Sequence, residues 1–244
     1  MCRADTTDFV YAQYGEPKIE GLSWFIWDEV FKRPVDQRPG FGRSNRGRLI
    51  LDEIRNYFLN CPWNKVYEFI EFMVRACDRS HSHLAKWFNE ALERELSGYR
   101  FIEGQVVDIT DQQELEMLTE ALRDTRFAGV SAHLQRALEL YANREKPDYR
   151  NSIKESISAV EAMAKILTGE DKATLDGALK ILEKNGQLHK ALKDGFAKLY
   201  GYTSDEQGIR HAMMEDPGLS ATDAKYFLLS CTSFANYLKA QMPA

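Results

Sequence analysis

No stretch of the chain approaches the roughly 18 consecutive apolar residues that a membrane-spanning helix needs. The N-terminal residues also lack the apolar core of a secretory signal, so the expectation is a cytoplasmic protein with no membrane partner. Cysteine is sparse: Cys2, Cys61, Cys77 and Cys231 make four, without CxxC spacing, so neither a zinc-ligand set nor a disulfide framework can be drawn. Also missing are a Gly-rich phosphate loop before a helix, an HExxH helix and a GxSxG elbow. Their absence argues against nucleotide, zinc-protease and hydrolase chemistry, and no cofactor or metal is expected. Positive charge is not in excess: 32 Lys and Arg stand against 37 Asp and Glu, net −5. That balance argues against bulk attraction to nucleic acid, though a local basic patch could still bind it.

Apolar residues at helical spacing are what the chain does have. "GLSWFIWDEVF" (21–31) is apolar nearly all round, the pattern of a buried helix. It ends in "KRPVDQRPGFG", where Pro and Gly force a loop. Helices are expected over 45–60, after Pro62 with Val66, Phe69, Ile70 and Met73 on one face, and after a Ser80 cap through Leu84, Trp87, Phe88, Ala91 and Leu92. The single strand signal is "GYRFIEGQVVDI" (98–109), two short β-prone runs around Glu103-Gly104 that read as a hairpin. "TDQQELEML" then starts a helix. A composition shift at "RDTRFAGV" (123–130) divides the chain into an N-terminal part, 1–126, and a C-terminal module, 127–244. The module reads as about five helices, the last opened by the capping-box pattern Ser220-x-x-Asp223, and its short loops favour an antiparallel bundle.

Few residues are candidates for chemistry. Arg38, Arg43, Arg46 and Arg48 crowd a loop with Phe41 interleaved, a pattern that could meet phosphates and stack on bases, or simply pair with the protein's acids. His81 and His83 stand at i, i+2 and face different sides of a helix, so they do not form a metal pair. His133 and His189 fall on amphipathic helices and read as surface or core-edge residues, and Trp24, Trp27, Trp63 and Trp87 read as core before they read as a ligand pocket. Glu161 and Lys165 are i, i+4 neighbours at the border of the apolar stripe Ile153, Ile157, Val160 and Ala164. They form either an ordinary helix pair or the polar edge of a groove. Arg210-His211, in "SDEQGIRHAMMEDPG", pairs a guanidinium suited to holding phosphate with the side chain that titrates nearest neutrality.

Residues 127–242 resemble the HEPN superfamily of helical bundles, on "RNSIKESISAVEAMAKIL" with its Glu161-x-x-x-Lys165 and on "YTSDEQGIRHA" followed by "SCTSFANYL". The whole chain is similar to bacterial abortive-infection proteins with an AbiJ-like N-terminal domain, on "GLSWFIWDEVF", "GYRFIEGQVVDIT" and the "AHLQRAL" helix. The resemblance implies a mainly α protein: a helical N-terminal part with one small β-hairpin, followed by a HEPN-like antiparallel helical bundle. It implies antiphage defence, a homodimer, and RNA as the target of a metal-independent ribonuclease with Arg210, His211, Glu161 and Lys165 at its site. The family's motif places a His a turn or two after the Arg, and the corresponding slots here hold Glu215, Asp216 and Pro217. A non-catalytic module that binds a phage-derived or host partner protein therefore stays open beside the nuclease.

Overall fold

The computed structural model describes residues 26–38, 46–77, 83–204 and 219–242. The chain divides into two compact units, Met1–Val106 and Val107–Ala244.

In the first unit a π-helical turn, Ile26–Phe31, stands where the expected helix over 21–31 can be followed; residues 21–25 lie outside the described ones. Trp27 is buried, and its indole N–H donates to the Pro34 carbonyl at 2.9 Å, which fixes the chain's exit from the turn. Three helices follow: α1 (Arg46–Asn60), α2 (Trp63–Cys77) and α3 (His83–Arg94). Residue 80, the expected cap of α3, is outside the described residues. The hairpin is where the sequence puts it, with β1 (Arg100–Ile102) and β2 (Gln105–Val107) around Glu103 and Gly104. Both turn residues have positive φ, 40° and 89°, the signature of the type I′ turn that matches strand twist. Asn89 of α3 caps the edge of β1, accepting from the Phe101 N–H at 2.6 Å and donating to its carbonyl at 2.8 Å. The core is built on rings, with Trp27, Phe58, Phe69, Phe88 and Phe101 buried among Ile50, Ile54, Ile70 and Val106. Among the described residues one carboxylate enters it: Glu71 accepts the Val106 N–H at 2.7 Å, so the buried acceptor has a donor.

The second unit holds α4 (Gln112–Arg123), α5 (Ala128–Ala142), α6 (Tyr149–Thr168), α7 (Leu175–Lys184), α8 (Lys190–Ser204) and α9 (Ala221–Lys239). Their ends follow capping chemistry. Asp111, Asp148 and Thr174 each accept an N–H of the first turn of their helix. Gly169 closes α6 at φ 71°, a conformation that a residue with a Cβ reaches only under strain. The expected capping box is formed in full: Asp223 N–H donates to the Ser220 hydroxyl, and the Ser220 N–H donates to the Asp223 carboxylate. Those bonds from Ser220 hold the Asp223 carboxyl below its ordinary value.

Side-chain bonds between helices fix the chain directions. Ser152 Oγ of α6 donates to the Ala137 carbonyl of α5, and His133 meets Glu155, so α5 and α6 run antiparallel as expected. Asp108, before α4, takes the Tyr141 hydroxyl from the far end of α5 on its carboxylate. Its carbonyl takes Lys225 from the start of α9. At the other end Lys239 of α9 reaches Asp124, just after α4. Thus α9 runs the same way as α4, an arrangement the intervening α7 and α8 make possible. The segment the sequence marks as a division, 123–130, joins α4 to α5 inside this unit.

Candidate functional site

α6 carries the half of the site that can be placed. It buries Ile153, Ile157, Val160, Met163 and Ala164 toward its neighbours, which leaves Glu161 and Lys165 at the edge of that stripe. Each keeps about a third of its side chain in solvent, and their charged atoms, Glu161 Oε1 and Lys165 Nζ, are 2.8 Å apart. Glu before Lys at this spacing is the favourable order, and Lys165 in the last turn also meets the negative end of the helix dipole. The pair is thus a pre-organised ammonium on a rigid helix, able to lend charge to an anion that displaces or shares its carboxylate.

Arg210 and His211 lie outside the described residues, so the structure brings together Glu161 and Lys165 alone of the four. For the basic loop, Arg43 also lies outside, and Arg46 and Arg48 are placed on the first turn of α1 without described side chains. Arg38 is buried, at 2% exposure, which keeps its guanidinium away from solvent. Of the histidines, His83 is exposed at the first residue of α3, and His81 is outside the described residues. His189 serves structure: its Nδ1 accepts the Ala191 N–H at 3.2 Å at the start of α8. Cys231 is wholly buried in α9, and burial pushes its thiol up to about 12, which makes it inert as a nucleophile. Among the described residues no group of three His, Cys, Asp or Glu is placed to hold a metal ion, and no helix is long and apolar enough to cross a membrane.

Two arrangements are not legible in the sequence. His133 Nδ1 lies 2.7 Å from Glu155 Oε2 where α5 packs on α6, a carboxylate-oriented imidazole with its ring 41% exposed. Only the helix register, set by Ser152 and Ala137, could have predicted this pair. In the first unit Trp63, Tyr67 and Tyr99 form one ring cluster, with Trp63 56% exposed. Its i, i+4 half is visible as spacing, but that spacing equally describes a buried face.

Residues 7–124 match the family described as AbiJ N-terminal domain 4. The match spans just under half of the chain and gives it an AbiJ-like N-terminal domain. It runs past the division of the compact units and takes in α4. No curated protein and no solved structure matches the chain.

Proposed function

We propose that this is a prokaryotic abortive-infection protein, acting in the cytoplasm against phage, whose C-terminal helices form a HEPN-like, RNA-directed module. The single observation that carries the defence reading is the AbiJ N-terminal domain 4 match over residues 7–124. The RNA reading is supported by the Glu161–Lys165 pair, partly exposed on the long central helix, and by Arg210-His211 in the sequence. As a metal-independent endoribonuclease the site works as follows. Arg210 holds the scissile phosphate through its forked N–H groups, and His211 accepts the proton of the ribose 2′-hydroxyl. The 2′-oxygen attacks phosphorus to form a 2′,3′-cyclic phosphate, the 5′-oxygen leaves as a hydroxyl with a proton taken from water, and Glu161 and Lys165 orient the guanidinium and the phosphate. A second copy of the chain completes the cleft.

A second reading has its own support. Glu215, Asp216 and Pro217 occupy the slots of the motif's second His, which favours a non-catalytic helical module that dimerises or senses a phage-derived or host protein. Incubating the pure protein with total RNA in EDTA separates the two. The nuclease reading expects cleavage by wild type and its loss in His211→Ala. Equal cleavage by both removes His211 from the site, and cleavage by neither leaves the interaction module.

A further inference from the structure

Trp63 opens α2 directly after Pro62, yet 56% of it faces solvent. It belongs to a built surface. Its ring is 5.9 Å from Tyr67, one turn on, and 5.8 Å from Tyr99, while Tyr67 and Tyr99 are 5.0 Å apart. Ser97 fixes the last two, sharing a 3.2 Å hydrogen bond with the Tyr67 hydroxyl and accepting the Tyr99 N–H at 3.3 Å. Beside Ser97 stands Leu96, 92% exposed and at φ 52°. The end of α3 explains that backbone: Ser97 N–H donates to the Leu92 carbonyl and Leu96 N–H to that of Glu93, the closure that places one residue in the left-handed region. Glycine or asparagine is the usual occupant. A leucine there is strained, and at such exposure the protein's own packing gives nothing back.

Arg100 edges the same surface. One of its terminal nitrogens donates to the carbonyls of Ser97 and Tyr99, each at 2.9 Å, which fixes the guanidinium. Among the described residues no carboxylate pairs with it, and the residue is only partly buried. Lys65 and Arg94, by contrast, are engaged by Glu68 and Glu95. A nucleic acid presents a phosphate at every step and needs repeated cations, whereas a single prepared guanidinium suits a single carboxylate. Trp, Tyr and Arg are also the residue types that dominate protein-binding hot spots.

We propose that Trp63, Tyr67, Tyr99 and Leu96, with Arg100, form a docking site for a peptide segment of a partner protein. The segment lays an aliphatic or aromatic side chain on Trp63 and pairs a nearby Asp or Glu with Arg100. The site goes beyond the defence reading and holds whether or not the C-terminal module cleaves RNA. Selection of a phage-displayed library of random dodecapeptides on the full chain tests it. The expected consensus joins Leu, Phe or a similar side chain to an acidic residue within a few positions. Trp63→Ala loses the consensus, while Arg100→Gln keeps the apolar anchor and drops the acid. Leu96→Gly raises the melting temperature by relieving the left-handed strain, yet weakens a selected peptide by roughly tenfold, opposite signs that a purely structural leucine does not give. No consensus, the same consensus from Trp63→Ala, or binding of oligouridylate with no peptide selected would each overturn the proposal.

Discussion

The two units bury their apolar surface by different means. In the first, a few large rings fill the volume: Phe58 and Phe69 meet edge to face with centroids 4.7 Å apart, and Trp27, Phe88 and Phe101 complete the set. In the second, alanines share the fully buried positions of the central helices with aliphatic residues such as Leu134, Leu138, Ile153 and Leu228. Ala137, Ala159, Ala164 and Ala224 are all at 0% exposure, so backbones approach closely enough for Ser152 Oγ to reach the Ala137 carbonyl at 2.8 Å. The buried hydroxyls of Ser156 and Thr232 bond the carbonyl one turn back, so neither is left without an acceptor. A ring-filled core is weakened by removing atoms, a close-packed helix contact by adding them.

The largest expected effect attacks the rings. Phe58→Ala removes a side chain at 1% exposure whose neighbours include Phe69 and Tyr57. It should cost about 3–5 kcal/mol, because lost transfer energy and a residual cavity add. Amide exchange should show the loss of protection in α1, α2 and α3. A smaller effect, of the opposite construction, is expected from Ala159→Leu. At 0% exposure the added carbons have no space that does not displace packed neighbours, a cost of about 1–3 kcal/mol read as faster exchange in α5, α6 and α9. If the leucine were accommodated without loss, close approach would not be the device that holds the second unit.

Much of this was legible in the sequence, for a physical reason. Helix periodicity, the Ser220–Asp223 box and the Glu103-Gly104 turn are local, each specified within about one turn of chain. What was not legible depends on a second element. Arg38 sits in a run of arginines and Gly-Pro breaks that reads as solvated, yet the fold buries it. Trp63 reads as core from its company, yet half of it is exposed. Charge and hydropathy are properties of residues; burial belongs to their neighbours. On the candidate site, Glu161–Lys165 was readable because helix spacing alone makes the pair, whereas the His133–Glu155 contact required the register of two helices. The segment 123–130 is marked by a composition shift, and the AbiJ N-terminal domain 4 match ends inside it, at 124. At that segment Asp124 receives bonds from its own turn and from α9, a tie that depends on a second element.

That junction gives the smallest and most selective test of the second unit. The Asp124 carboxylate accepts Arg126 Nε at 3.0 Å and Nη2 at 2.9 Å, the Arg126 N–H at 3.2 Å, and Lys239 Nζ of α9 at 3.0 Å. Its pKa is held well below the usual carboxylate range, first by the Arg126 side chain, against a raising effect of burial, with Lys239 adding to the lowering. A depressed folded value stabilises the fold above the unfolded carboxyl value of about 3.9, and that stabilisation is lost as the pH falls below it. Arg126 is 73% exposed, so water screens much of its share, while Lys239 at 19% and Asp124 at 11% keep theirs. Asp124→Asn should therefore cost about 1 kcal/mol at neutral pH, with the gap to wild type closing in thermal melts taken from about pH 5 down to about pH 2. Lys239→Gln should reproduce more of that loss than Arg126→Gln. The reverse order would mean that the turn holds itself, and that the tie to α9 adds nothing to a unit whose stability rests on its close-packed helices.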